Sequence, residues 1–158
     1  MAITLRVYKR IDSNGVPYDE VSYDGDMSNP AYFSVAVVPV SGAEYAPDSD
    51  GLILYVKVES TGDYGLDLKV RAEPLDENQP PTSVLDGFEA FEPTLPDLSA
   101  GEWKACHQKF VTVSVPGSVI HPNSVLPVKL RVRADAGDPV GRWQALLHFI
   151  VYNIGTSP

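Results

Sequence analysis

One cysteine in 158 residues, Cys106, leaves nothing for an internal disulfide to pair with, and it excludes any zinc or iron–sulfur site built from several thiolates. Histidine is nearly as scarce. The three present, His107, His121 and His148, make no His-x-His or His-x-x-x-His spacing of the kind that seats a catalytic zinc. Positive charge is short as well: 12 Lys and Arg stand against 21 Asp and Glu, a formal net charge of −9. That balance disfavours nucleic acid and anionic membranes as partners, since both are held through phosphates. No apolar run approaches the ~20 residues needed to span a bilayer, and Met1 to Arg10 alternates where a signal peptide would be continuously apolar. At 44% hydrophobic and 21% charged, the chain still has the material for a core, so one domain over residues 1–158 is expected.

What the chain has in quantity is period-two alternation. Ile3, Leu5 and Val7 share one face against Thr4 and Arg6, the pattern of a half-buried strand. Asn14-Gly15 tolerates positive φ, and the extended run Tyr18 to Tyr23 follows, so residues 1–23 predict an N-terminal hairpin with a loop longer than two residues. Ala31 to Val40 is an apolar run. Leu52 to Glu59 and Leu66 to Val70 both alternate across Thr61–Gly65 and predict an antiparallel pair. Three long extended segments close the chain: Trp103 to Val115, Leu126 to Ala134 and Arg142 to Asn153. In the middle one, Val128, Leu130 and Val132 oppose Lys129, Arg131 and Arg133, a basic stripe that suits a solvated face or a pairing surface for the acidic excess. No 12-residue segment carries a capped 3.6-residue apolar stripe. These features predict an all-β fold: an antiparallel two-sheet sandwich of about eight strands, immunoglobulin-like or jelly-roll-like. Between Glu73 and Leu98 five prolines interrupt the rhythm, which predicts a long proline-rich loop over 73–98, with at most a helical turn over Ser83 to Phe91.

The chemistry-bearing residues give no catalytic constellation. Cys106 and His107 are adjacent, so on a strand they point to opposite faces and cannot pair. There is no Gly-x-Ser-x-Gly elbow. Asp12-Ser13-Asn14-Gly15 opens like a calcium loop, but the twelfth position is Tyr23 where a bidentate glutamate belongs. Asp24/Asp26, Asp48/Asp50 and Asp135/Asp138 are too sparse to coordinate a cation alone, and Asp is common in turns for conformational reasons. Asp86, Glu89 and Glu92, near Phe88 and Phe91, form an acidic-aromatic stretch whose carboxylates invite comparison with a glycosidase pair. A solvated loop anchored by two phenylalanines is the simpler reading. The chain is read as no enzyme, with no cofactor and no metal.

Two stretches carry a family resemblance. Leu5-Arg6-Val7-Tyr8-Lys9-Arg10, followed by Tyr18-Asp19-Glu20-Val21, Asp24-Gly25 and Ser28-Asn29-Pro30, resembles the start of small β-sandwich virion proteins of tailed bacteriophages. Leu95-Pro96-Asp97-Leu98-Ser99-Ala100-Gly101-Glu102-Trp103, running on to Val113-Ser114-Val115-Pro116-Gly117, is similar to a pattern of immunoglobulin-like phage accessory domains. The resemblance implies a head decoration (cement) protein on the outer capsid surface of the virion, stabilising the head. It also implies the major capsid protein as partner, a homo-oligomer with a trimer favoured, and no catalytic residues. The 73–98 stretch departs from the pattern. Contact with the capsid is expected from the hairpin and that stretch, through Leu5, Val7, Tyr8, Tyr18, Val21, Tyr23, Phe88 and Phe91. Two alternatives stand beside it: a tail or fibre β-sandwich module, and a carbohydrate-binding module using exposed tyrosines and Trp103 or Trp143.

Overall fold

Alternating Val, Leu, Ile and Tyr favour extended chain because branched and aromatic side chains pack well on a pleated surface with one face buried. The computed structural model describes residues 3–21, 31–37, 43–45, 53–74, 87–138 and 140–156, and these carry twelve strands and no α-helix. In chain order they are β1 (Thr4–Ile11), β2 (Pro17–Val21), β3 (Ala31–Val37), β4 (Ala43–Tyr45), β5 (Ile53–Glu59) and β6 (Tyr64–Pro74). The second half holds β7 (Phe88–Pro93), β8 (Gly101–Ala105), β9 (Val111–Thr112), β10 (Val119–Ile120), β11 (Ser124–Ala134) and β12 (Gly141–Gly155). They form two antiparallel sheets. One runs β2-β1-β5-β11-β7-β8, with β4 also on β11; the other runs β10-β6-β12-β3, with β9 also on β6.

The result is an open two-sheet sandwich. Its core is the set of inward positions: Val7, Val56, Val58, Val128, Leu130 and Phe88 from one sheet meet Leu68, Val70, Leu147 and Phe149 from the other. Each such side chain contributes about 1.5–3 kcal/mol on leaving water.

Four expectations are corrected. β5 and β6 are not a pair but lie in different sheets, because their inward faces (Leu54, Val56, Val58 and Leu68, Val70, Ala72) meet across the core. The corner between them is clasped by hydrogen bonds. Asn123 Nδ2 donates to the Ser60 carbonyl (3.0 Å), Ser60 Oγ donates to the Asp63 carbonyl (2.6 Å), and Asn153 Nδ2 donates to Asp63 Oδ2 (2.9 Å). Trp103 to Val115 is not one strand: β8 belongs to the first sheet, and after Cys106 the chain crosses to the second as β9. Residues 88–93 are neither loop nor helical turn. They form β7, paired to β11 at Phe88↔Val132 and Ala90↔Leu130. Prolines bracket this strand instead of interrupting it, with Pro93 as its last residue. Finally, twelve strands replace about eight, several of them two or three residues long.

Register sets which features share an end. Leu5 pairs Val58, which pairs Ser124, so the starts of β1 and β11 lie together with β10 and the end of β7. The β1–β2 loop and the turn from β11 to β12 lie at the opposite end.

Candidate contact surfaces

The β1–β2 hairpin lies at an edge of the larger sheet. Its loop, Asp12 to Val16, is built by one side chain. Asp12 Oδ1 accepts from the backbone N–H of Asn14 (2.8 Å) and Val16 (2.9 Å), while the Asp12 N–H donates to the Val16 carbonyl (2.9 Å). Gly15 sits at φ +77°, which the Asn-Gly pair foreshadowed. Asp12 is thus a conformational cap. On this rigid tip stand Ile11 (38% exposed), Val16 (55%) and Tyr18 (46%), three of the seven exposed large apolar residues among the described ones. Arg6 ties the hairpin down, its Nη1 on Glu20 of β2 (3.0 Å) and its Nε near Glu59 of β5 (3.4 Å). The hydrogen bond to Glu20, then that to Glu59, holds the guanidinium pKa above its ordinary value. Partial burial, aided by the Glu20 charge, raises the Tyr8 phenol. Pro17 and Asp19, the latter at φ +57°, interrupt the outer edge of β2, so the hairpin offers side chains and not a free strand edge.

The expected contact residues therefore divide. Tyr18 is exposed and Tyr8 is half-buried. Val21 ends β2 opposite Val7, and Tyr23 lies outside the described residues. Leu5, Val7, Phe88 and Phe91 are corrected: all four are buried in the domain's own packing. Phe88 (2% exposed) lies between Trp143 and His107, with ring centroids 6.4 and 6.5 Å away, and Phe91 (8%) meets the Trp103 ring edge-on at 5.3 Å. Ile11 and Val16 were missed in the sequence, although an apolar residue just after Asn-Gly at a hairpin tip is a readable signal.

The basic stripe of β11 is a second surface, and it pairs with the acidic excess. Arg131 is buried: its Nε donates to Glu89 Oε1 (2.8 Å), its Nη1 reaches Glu44 Oε1 (2.7 Å), and its guanidinium lies 4.0 Å from the Trp103 ring centre. Lys129 sits over Phe91 and Arg133 approaches Glu44. Glu92 pairs with Lys104, so the two described carboxylates of the acidic-aromatic stretch each face a cation. Asp86 lies outside the described residues, as do Asp24/Asp26 and Asp48/Asp50. Arg131 covers one face of the half-buried Trp103 ring, and Trp143 is buried.

Cys106 and His107 are both buried, and desolvation pushes the Cys106 thiol up to about 12, far from a thiolate nucleophile. His121 packs edge-on against Tyr64, and His148 against Phe110. Among the described residues no three His, Cys, Asp or Glu side chains are grouped to hold a metal ion. Asp135 and Asp138 cap their own turn, Asp138 Oδ2 accepting from the Asp135 N–H at 2.8 Å.

A third surface is an apolar pocket of about 170 Å³ at the end of the sandwich opposite the hairpin loop, walled by Pro93, Leu98, Val113, Ile120, Leu126 and Pro127. No family model, curated protein or solved structure matches the chain.

Proposed function

We propose that this chain is a non-enzymatic structural protein of a tailed-phage particle, a decoration protein that binds the outer face of the major capsid protein and stabilises the assembled head. The observation that carries the reading is the hairpin tip, where Ile11, Val16 and Tyr18 stand exposed on a loop already fixed by Asp12. A preformed apolar tip loses little entropy on docking, so more of its burial appears as affinity. The resemblance of Leu5–Arg10 and Leu95–Trp103 to virion accessory domains supplies the partner class. The net charge of −9 suits the outside of a capsid better than contact with packaged DNA. Binding that favours the assembled shell stabilises it by mass action, and homo-oligomeric clusters multiply weak contacts through effective concentration.

The test adds purified protein to undecorated heads. The parent binds saturably and raises the temperature at which heads lose DNA. The double variant Val16→Asp/Tyr18→Ser binds at least tenfold more weakly with an unchanged melting temperature, since both positions are exposed. Absence of binding and of heat protection defeats the reading, as does a double variant that binds like the parent. Density confined to the tail in electron micrographs of particles moves the protein off the head.

A further inference from the structure

We propose that β8 is the contact through which two copies of this chain associate. The strand pairs with β8 of a second copy, antiparallel and about a two-fold axis at Trp103, so that the larger sheet runs on from one copy into the other. β8 ends that sheet, with β7 on one side and, among the described residues, no strand on the other. Its ladder to β7 shows which backbone groups are already paired. The Cys106 N–H donates to the Phe88 carbonyl (2.9 Å) and the Thr94 N–H to the Ala100 carbonyl (2.9 Å), in line with the register Ala90↔Lys104 and Glu92↔Glu102. Backbone direction alternates along a strand, so Glu102 and Lys104 turn their N–H and C=O toward β7 while Gly101, Trp103 and Ala105 turn theirs away from it. An edge with open donors and acceptors is a template for another strand unless something breaks it. The opposite end of the sheet is broken: β2 opens with Pro17 and holds Asp19 at φ +57°. β8, Gly-Glu-Trp-Lys-Ala, has no proline, and no residue after Gly101 in it has a positive φ.

The side chains identify the occupant. Glu102 and Lys104 are exposed on one face of β8. Glu102 lies directly opposite Glu92 of β7, a like-charge pair. Lys104 pairs with Glu92, and no described cation lies within ion-pairing distance of Glu102. A second copy brings that cation. When Trp103 faces Trp103 of the second copy, Glu102 faces its Lys104 and Lys104 faces its Glu102. The two Trp103 residues, whose backbone groups point at each other, exchange both hydrogen bonds, and Gly101 faces Ala105. The same charges select the register. A slip of two residues one way sets Glu102 against Glu102, and the other way Lys104 against Lys104, whereas a slip of one puts facing side chains on opposite faces. On the outer face Trp103, half-buried against Phe91 and Arg131, meets its counterpart as a cross-strand aromatic pair. The strand is therefore complementary to itself, and the contact is isologous and closes at two copies. It concerns the chain with itself and stands whether or not a phage head is the partner.

Sedimentation velocity from ~1 μM to ~1 mM, a span that covers weak association, tests it with three variants, each checked for parental melting temperature. Ala105→Pro removes an outward N–H and leaves the ladder to β7 intact. Glu102→Lys sets cation against cation across the axis, and Lys104→Glu sets carboxylate against carboxylate. The parent dimerises reversibly. Each variant alone needs at least a roughly tenfold higher concentration. Mixed one to one, Glu102→Lys and Lys104→Glu copies recover parental dimerisation, because every facing pair is again one cation and one carboxylate. Should Lys104→Glu lose its fold with Glu92 unpaired, Ala105→Pro and Glu102→Lys decide the question. A parent that stays monomeric, variants that dimerise like the parent, a mixture of folded variants no more associated than its components, or a parent assembly (a trimer included) indifferent to these changes each overturns the proposal. Head binding by Ala105→Pro is scored separately, so loss of one contact is distinguishable from loss of the other.

Discussion

Arg131 is a charge on the outer face of a sheet, yet its side chain is only 9% exposed, and that makes its removal a sharp test of the packing there. Consider Arg131→Met, which keeps an apolar stem over Trp103 and removes the guanidinium. Glu89, 16% exposed, loses the Nε donor at 2.8 Å. Glu44, 48% exposed, loses Nη1 at 2.7 Å but regains water. Breaking a buried pair from one side costs about 3–5 kcal/mol because the surviving charge is uncompensated, whereas the exposed half is worth about 0–1 kcal/mol. The lost cation–ring contact, at 4.0 Å, adds about 1 kcal/mol, partly restored by the methionine. The expected destabilisation is about 3 kcal/mol, or some 6–12 °C in melting temperature for a chain of this size. Glu89→Leu costs less, since Arg131 keeps Glu44. The double variant Arg131→Met/Glu89→Leu recovers to within about 1 kcal/mol of the parent, because two apolar groups replace both charges at once. Urea unfolding followed by circular dichroism measures all four proteins. A single variant costing under 1 kcal/mol, or a double variant equal to the sum of the singles, refutes this account of the stripe.

Two further outcomes follow from local geometry. Gly101→Ala places a Cβ 2.3 Å from the Glu92 carbonyl oxygen and 2.7 Å from the Phe91 ring at φ +154°, whereas Gly117→Ala meets nothing within 4 Å at φ +78°. The first lowers stability by about 3 kcal/mol or more and the second by about 1 kcal/mol; equal melting temperatures would show that the β7–β8 approach is not as tight as described. Burial pushes the Cys106 thiol from its ordinary 9.0 up to about 12. Below pH 9 it is protonated in both states and has no effect on pH dependence. From there to about 12 the unfolded chain releases a proton that the native state keeps, so stability falls as pH rises, by up to about 1.4 kcal/mol per pH unit. Cys106→Ala removes that part of the slope. A parent and variant with the same slope between pH 8 and 10.5, or rapid thiol labelling of the native protein at pH 8, counts against the buried assignment.

Alternation made the faces of the strands legible and left their neighbours illegible. Val56 and Val70 read inward correctly, but a period of two says nothing about which strand lies alongside, so β5 and β6 looked like partners when they face each other across the core. What decides between those arrangements is the corner, and its agents are far apart in sequence: Ser60 and Asp63 are held by Asn123 and Asn153. The same limit bears on the residues expected to make contact. Leu5 and Phe88 are the kind of side chain that adheres, and that property equally fits them for the core; parity with Val7 and Ala90 on inward faces is what separates the two uses. Proline misled for a physical reason too. A proline cannot donate within a ladder, but one at a strand's last residue removes little, so Pro93 closes β7 where a proline-dense stretch read as loop. Arg131 shows the reverse: its charge argued for solvent, and only the placement of Glu44, Glu89 and Trp103 around it makes burial tolerable. At the corner and at Arg131 the residue's own chemistry was read correctly, and what it does was set by partners far along the chain, Glu89 lying 42 positions from Arg131 and Asn153 lying 90 from Asp63. Surface features at turns are the exception: Asp12, Gly15 and Val16 act within five residues, and that is why the hairpin tip was the surface feature nearest to view in the sequence.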